Sequence, residues 1–192
     1  MKEALIIRNT SIPLYLDLLE QELAAINSNN INEVNFKMYC FWNGEKQLGS
    51  LEGVLDVEPG FIDHSEVVKV KYNSALISDS ELKSYAEKQN FEPINTSGNF
   101  RTATKDVHYY LQHSDYKYLP LSEIQKTKIN SALGSQQLTK NYLSPKQIKW
   151  LGFLQSNKEM KYPMFHNQEI ANAWGLMEMN YIRFNKKQAS SP

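Results

Sequence analysis

Residues 31–45, INEVNFKMYCFWNGE, change periodicity in mid-stretch, and that change constrains the fold more than any other feature of the chain. Val34, Phe36 and Met38 alternate with Glu33, Asn35 and Lys37, the period of a strand with one buried face. Asn43-Gly44-Glu45 then opens a helix expected over about 42–51, closed by Glu52-Gly53. Cys40 therefore stands where a strand ends and a helix begins, between Tyr39, Phe41 and Trp42. A helix N-terminus offers unpaired N–H groups and partial positive charge, both of which favour thiolate over thiol.

The surrounding pattern extends this unit. Ser11 to Asn27 reads as a helix, with Ser11 as cap, Pro13 in the first turn and a stripe of Tyr15, Leu19, Leu23 and Ile26. Val54 to Glu58 reads as a second strand ending at a Pro59-Gly60 turn. His64 to Tyr72 is the clearest strand, with Val68 and Val70 on one side and Val67, Lys69 and Lys71 on the other. Ser78 and Glu81 form a capping box for a helix to about Asn90. Pro93 to Gly98 reads as a loop and Asn99 to Thr104 as the last strand. The order β-α-β-β-α-β predicts an α+β fold of the ferredoxin-like, split-βαβ kind, two helices covering one face of a mainly antiparallel sheet.

The chain of 192 residues reads as a single domain: an N-terminal helix (1–30), a core (31–104) and a C-terminal extension (105–192). In the extension, Leu121 to Leu133 and a segment from Ser144-Pro145 through Leu154 are helical in pattern, while the rest, with Pro163 and Trp174, reads as irregular. Equal numbers of basic and acidic residues, 21 of each, with no Lys/Arg block, argue against nucleic acid as a partner. No apolar run approaches the roughly 18 residues of a membrane span, and MKEALIIRNT lacks the pattern of a secretory leader, so the cytoplasm is the expected location. A single cysteine excludes an intrachain disulfide and a cysteine-rich zinc site. Asp106, His108, His113 and Asp115 fit no standard ligand spacing, and no metal is expected. The tyrosines of HYYLQHSDYKYLP read as packing over the sheet.

Cys40-Phe41-Trp42 with Glu45 resembles the Gly-Cys-Phe-Trp-Gly-x-Glu signature of the A-type peptide methionine sulfoxide reductases. The likeness continues in order through Leu51-Glu52-Gly53-Val54, Gly60-Phe61, His64-Ser65-Glu66-Val67-Val68, Tyr72-Asn73 and Phe100-Arg101. It implies reduction of methionine S-sulfoxide, free or in proteins, as oxidative-damage repair. By the same resemblance Cys40 is the nucleophile and Glu66 the proton donor to the sulfoxide oxygen. Phe41 and Trp42 would hold the substrate's methyl group, with Phe100 and Tyr39 completing the substrate-binding set. His64 would be structural.

The chain departs from the signature at several points. Tyr39 and Asn43 replace glycines, the segment between Phe61 and His64 is short and lacks a tyrosine, Phe100 stands for a second tyrosine, and Asn95 for an aspartate. With no second cysteine, the sulfenic acid formed on Cys40 would be cleared by an external thiol such as thioredoxin, glutaredoxin or glutathione, with no bound cofactor. Two other functions fit the same residues: a non-catalytic module that binds a peptide or methionine sulfoxide, and another one-cysteine thiol-redox enzyme.

Overall fold

The computed structural model describes residues 12–94, 99–157 and 168–189. The fold is of the mixed α+β kind. Helix α1 (Leu14–Ser28) precedes β1 (Ile31–Lys37), α2 (Phe41–Gly49), β2 (Val54–Ile62), β3 (Ser65–Asn73), α3 (Asp79–Lys88), β4 (Glu92–Ile94) and β5 (Arg101–Thr102). Then come the short α4 (Tyr109–Gln112), α5 (Glu123–Gly134), α6 (Pro145–Ser156) and α7 (Ile170–Ala189). The strands form one sheet in the order β4-β1-β3-β2-β5, with every pairing antiparallel.

Strand β3 lies in the middle, which is why Val67, Val68 and Val70 are all buried although they point to both faces. Phe41 and Leu48 of α2 and Leu82 and Ala86 of α3 share one core with Val57, Val68 and Val70, so both helices cover the same face. The capping box of Ser78 and Glu81 starts α3 as expected.

The fourth strand is not the expected one. Glu92-Pro93-Ile94 pairs with β1 at one edge of the sheet, a place where a proline's missing N–H costs nothing. Residues 101–102, expected as that last strand, pair instead with Phe61 and Gly60 at the opposite edge. Strand β2 also runs through Pro59-Gly60 rather than turning there. Pro59 carbonyl accepts from Ala103 N–H at 2.9 Å, so the missing donor faces the ragged β5 edge. The turn falls at Asp63, in the left-handed conformation (φ 53°), and takes in His64.

Helix α1 buries Leu18 and Ala25 against Leu55 of β2 and Ile124 of α5. The expected stripe is not its buried face: Leu23 is 59% and Ile26 61% exposed, because α1 meets α5 as well as the sheet. Pro13 is the N-cap, and Ser11 lies outside the described residues. The extension is more regular than its composition suggests. Ala173 and Met177 of α7 share a core with Trp150, Leu151 and Leu154 of α6, an i, i+4 spacing that was present in the sequence. Pro163 lies outside the described residues.

Candidate functional site

Cys40 is the N-cap residue of α2, in extended conformation (φ −143°, ψ 113°). Its carbonyl accepts from Asn43 N–H at 3.1 Å and Gly44 N–H at 3.3 Å, which starts the helix. Glu66 holds the chain on both sides of it. Met38 N–H donates to the Glu66 backbone carbonyl at 3.0 Å, extending the β1–β3 ladder by one residue past Lys37. Phe41 N–H donates to Glu66 Oε2 at 2.8 Å, so the carboxylate fills one of the orphan donors at the helix start. Tyr39 and Cys40 are the only residues between these two anchors, and Oε1 of Glu66 is not spent on either bond. Cys40 is partly exposed and Tyr39, at 98%, almost wholly so.

The aromatic neighbours divide into floor and wall. Phe41 is only 6% exposed and meets Phe61 edge-on at 5.6 Å between centroids, which makes it the floor of the site. Trp42 stacks on Tyr109 at 4.0 Å, and its Nε1 donates to Asp106 Oδ1 at 3.1 Å. That wall comes from the extension, in the segment expected simply to pack over the sheet.

Phe100 is not brought to Cys40. Phe61 and Glu66 are directly opposed in the β2–β3 register and so share a face, whereas Gly60 points the other way. A β-carbon on Gly60 would stand 2.5 Å from Phe100 Cζ, and Lys69 Nζ lies 4.3 Å from the Phe100 ring centroid. Phe100 therefore covers the sheet face opposite Glu66. Asn95 lies outside the described residues.

Sequence reasoning assigned no role to two residues that the fold brings in. The first is Glu45, 1% exposed, whose carboxylate accepts from His108 N–H at 2.6 Å and Tyr109 N–H at 3.4 Å. Burial pushes its carboxyl up to about 8 and outweighs the hydrogen bonds, which act the other way. His108 itself is buried in the left-handed conformation (φ 53°), with Nε2 3.6 Å from Asp56 Oδ1. That is an electrostatic contact and too long for a hydrogen bond. Burial opposes the charge on Asp56, but His108 wins and its carboxyl sits below the ordinary value. Glu45 stood in the sequence as the last residue of the signature and at an i, i+4 offset from Phe41. Neither told of its burial or its partners, since a lone helical glutamate usually faces water.

The second is Tyr110. Helix α5 lies antiparallel to α2: Thr127 meets Gly49, and Ser131 Oγ donates to Lys46 carbonyl. The C-terminal end of α5 is thus at the N-terminal end of α2. There Gly134 supports the Tyr110 ring, a β-carbon standing 2.6 Å from Cε2. Burial raises the Tyr110 hydroxyl above its usual value, and negative charge on Cys40 and Glu45 adds to the effect. The Tyr110 ring, from a residue far away in sequence, thus packs at the end of α5 that lies alongside the start of α2.

Asp106, His108 and His113 go to separate partners, His113 Nδ1 lying 2.7 Å from Tyr109 carbonyl oxygen. Among the described residues no group of three His, Cys, Asp or Glu side chains could hold a metal, and no helix is long and apolar enough to cross a membrane. No protein-family model matches this sequence.

Proposed function

We propose that this chain is a single-cysteine thiol enzyme that reduces methionine S-sulfoxide, free or in proteins, to methionine. The observation that carries this reading is the hold of Glu66 on both flanks of Cys40, with Phe41 N–H bonded to the carboxylate at 2.8 Å. That arrangement sets a partly exposed thiol, a carboxyl oxygen and a helix N-terminus together over an aromatic floor. The element order and the strand order β4-β1-β3-β2 support a ferredoxin-like core, with β5 added at one edge. A cysteine that depends on an outside thiol suits a reducing compartment such as the cytoplasm.

The chemistry uses these groups in turn. The Cys40 thiolate attacks the sulfoxide sulfur, which Trp42 and Phe41 flank. Glu66 supplies a proton to the sulfoxide oxygen as its bond to sulfur breaks. The oxygen departs as hydroxide, which, or a water in its place, then attacks the Cys40 sulfur and breaks the new sulfur–sulfur bond. Methionine leaves, reduced by two electrons, and Cys40 is left as a sulfenic acid. One external thiol condenses with it to a mixed disulfide, releasing water, and a second attacks the sulfur of the first, forming an external disulfide and releasing Cys40 as the thiolate.

The test is methionine formation from methionine S-sulfoxide with a small thiol as reductant. Cys40→Ser should abolish it while circular dichroism stays unchanged, because the hydroxyl is near-isosteric but a far poorer nucleophile. Activity retained in that variant would defeat the reading. Binding of the sulfoxide without turnover would make the chain a binding module, and consumption of hydroperoxides instead would make it a one-cysteine peroxidase.

A further inference from the structure

The end of α2 remote from Cys40 carries a second reactive arrangement. Nine residues of helix separate the two ends, roughly 13 Å along its axis. There Lys128 of α5 donates through Nζ to the carbonyls of Gly49 and Leu51. It is buried, and among the described residues no carboxylate lies within ion-pair distance of it. Lys128 lines a cleft of about 260 Å³, together with Asp17, Gln21, Glu52, Tyr142 and the apolar Leu18. Gln21 Nε2 donates to Asp17 Oδ2 at 3.0 Å, and since that carboxylate can only accept, the amide orientation is fixed. Gln21 Oε1 is then left buried without a donor, in a residue of the same cleft wall.

We propose that this cleft captures a small neutral or cationic hydroxy-aldehyde or hydroxy-ketone as a Schiff base on Lys128. The amine nitrogen attacks the carbonyl carbon to give a carbinolamine, and loss of one water leaves the carbon–nitrogen double bond. The ligand's hydroxyl meets the unfilled Gln21 Oε1, and Asp17 and Glu52 disfavour anionic carbonyl compounds. Tyr142, whose hydroxyl burial keeps protonated, is the neutral acid in the cleft that assists departure of water. The resulting iminium keeps one N–H for the helix-end carbonyls. Burial also pulls the Lys128 ammonium down from 10.5 to about 7, with Glu52 acting weakly in the other direction. Half of it is then neutral near pH 7, against roughly one in 3,000 for an ordinary lysine.

The experiment is reductive trapping on the full chain at pH 7 with cyanoborohydride, followed by peptide mass spectrometry. Glycolaldehyde and glyoxylate serve as probes of equal carbon number but different charge. Glycolaldehyde should modify the peptide bearing Lys128 roughly tenfold faster than any other lysine peptide. Glyoxylate should show no preference for it, and Gln21→Leu should remove most of the glycolaldehyde preference. Cys40→Ser should label as the parent does, since this site does not depend on the thiol. Label spread evenly over surface lysines, or equal labelling of Lys128 by both probes, would overturn the proposal.

Discussion

Cys40 and Glu66 meet because a sheet register, and not sequence proximity, brings them together. Glu66 is the second residue of β3, and the ladder that pairs Lys37 with Val67 puts it beside the residues just past β1. Its carboxylate already takes the Phe41 N–H through Oε2, so in the proposed reaction the proton for the sulfoxide oxygen is assigned to the other carboxyl oxygen. Glu66→Gln keeps the shape and the acceptor but removes the transferable proton. The rate of methionine formation should fall by about 10²–10⁴ with little change in KM; an unchanged rate at neutral pH would reduce Glu66 to a helix cap. The segment between Phe61 and His64 has no tyrosine and residue 100 is a phenylalanine on the other face, which leaves Tyr110, packed on Gly134 at the end of α5, as the hydroxyl to test. Tyr110→Phe should lower kcat by roughly 10²-fold if its hydroxyl meets the sulfoxide oxygen, the cost of one donor to a charge-developing atom. Full activity in that variant would leave Tyr110 as packing on Gly134.

At the scale of elements, α2 is gripped from three sides. Glu66 caps its start, Lys128 accompanies its end, and Glu45 on its buried side ties it to α4 through His108 and Tyr109. The Glu45 carboxyl keeps its proton to about 8 in the fold and to 4.5 when unfolded, because burial outweighs its N–H donors. Between those values the folded chain binds the extra proton, so stability is fullest below pH 4.5 and falls as pH rises towards 8. At about 1.4 kcal/mol per unit this amounts to a few kcal/mol. Lys128 acts oppositely at higher pH: its folded value is depressed, so its unfavourable contribution fades as pH rises from about 7 to 10.5. Glu45→Gln keeps an acceptor for His108 N–H and has nothing to titrate. Urea unfolding should therefore show a flatter profile for the variant between about pH 5 and pH 8. A profile parallel to the parent's would mean that another group carries the slope.

Across the whole molecule, what could be read in advance was what periodicity encodes. The β1–Cys40–α2 junction, the buried β3 and the capping box of α3 all follow from local pattern. The edge strands did not. Glu92-Pro93-Ile94 is too short to show a period, and residues 101–102 became an edge strand only because β2 runs on past Pro59. Helix α5 was legible as a helix but not as a central one. Its buried Gln125, Lys128, Asn130 and Ser131 are polar, and their hydrogen bonds run to residues distant in sequence. For the same reason the half of the site supplied by residues 106–110 was hidden: Trp42, Glu45 and Tyr109 meet only through the tertiary fold.

That dependence on the extension does not change the redox arithmetic, because no residue beyond Cys40 is a cysteine. The most direct measurement is the methionine yield of reduced protein given excess methionine S-sulfoxide and no other thiol. The yield should stop at about one methionine per chain, with one added oxygen, or a sulfenic-acid trap, on the peptide that carries Cys40. A small thiol added afterwards should restart turnover through a mixed disulfide at that residue. No methionine at all, or a full equivalent formed while Cys40 stays unmodified, would contradict the account.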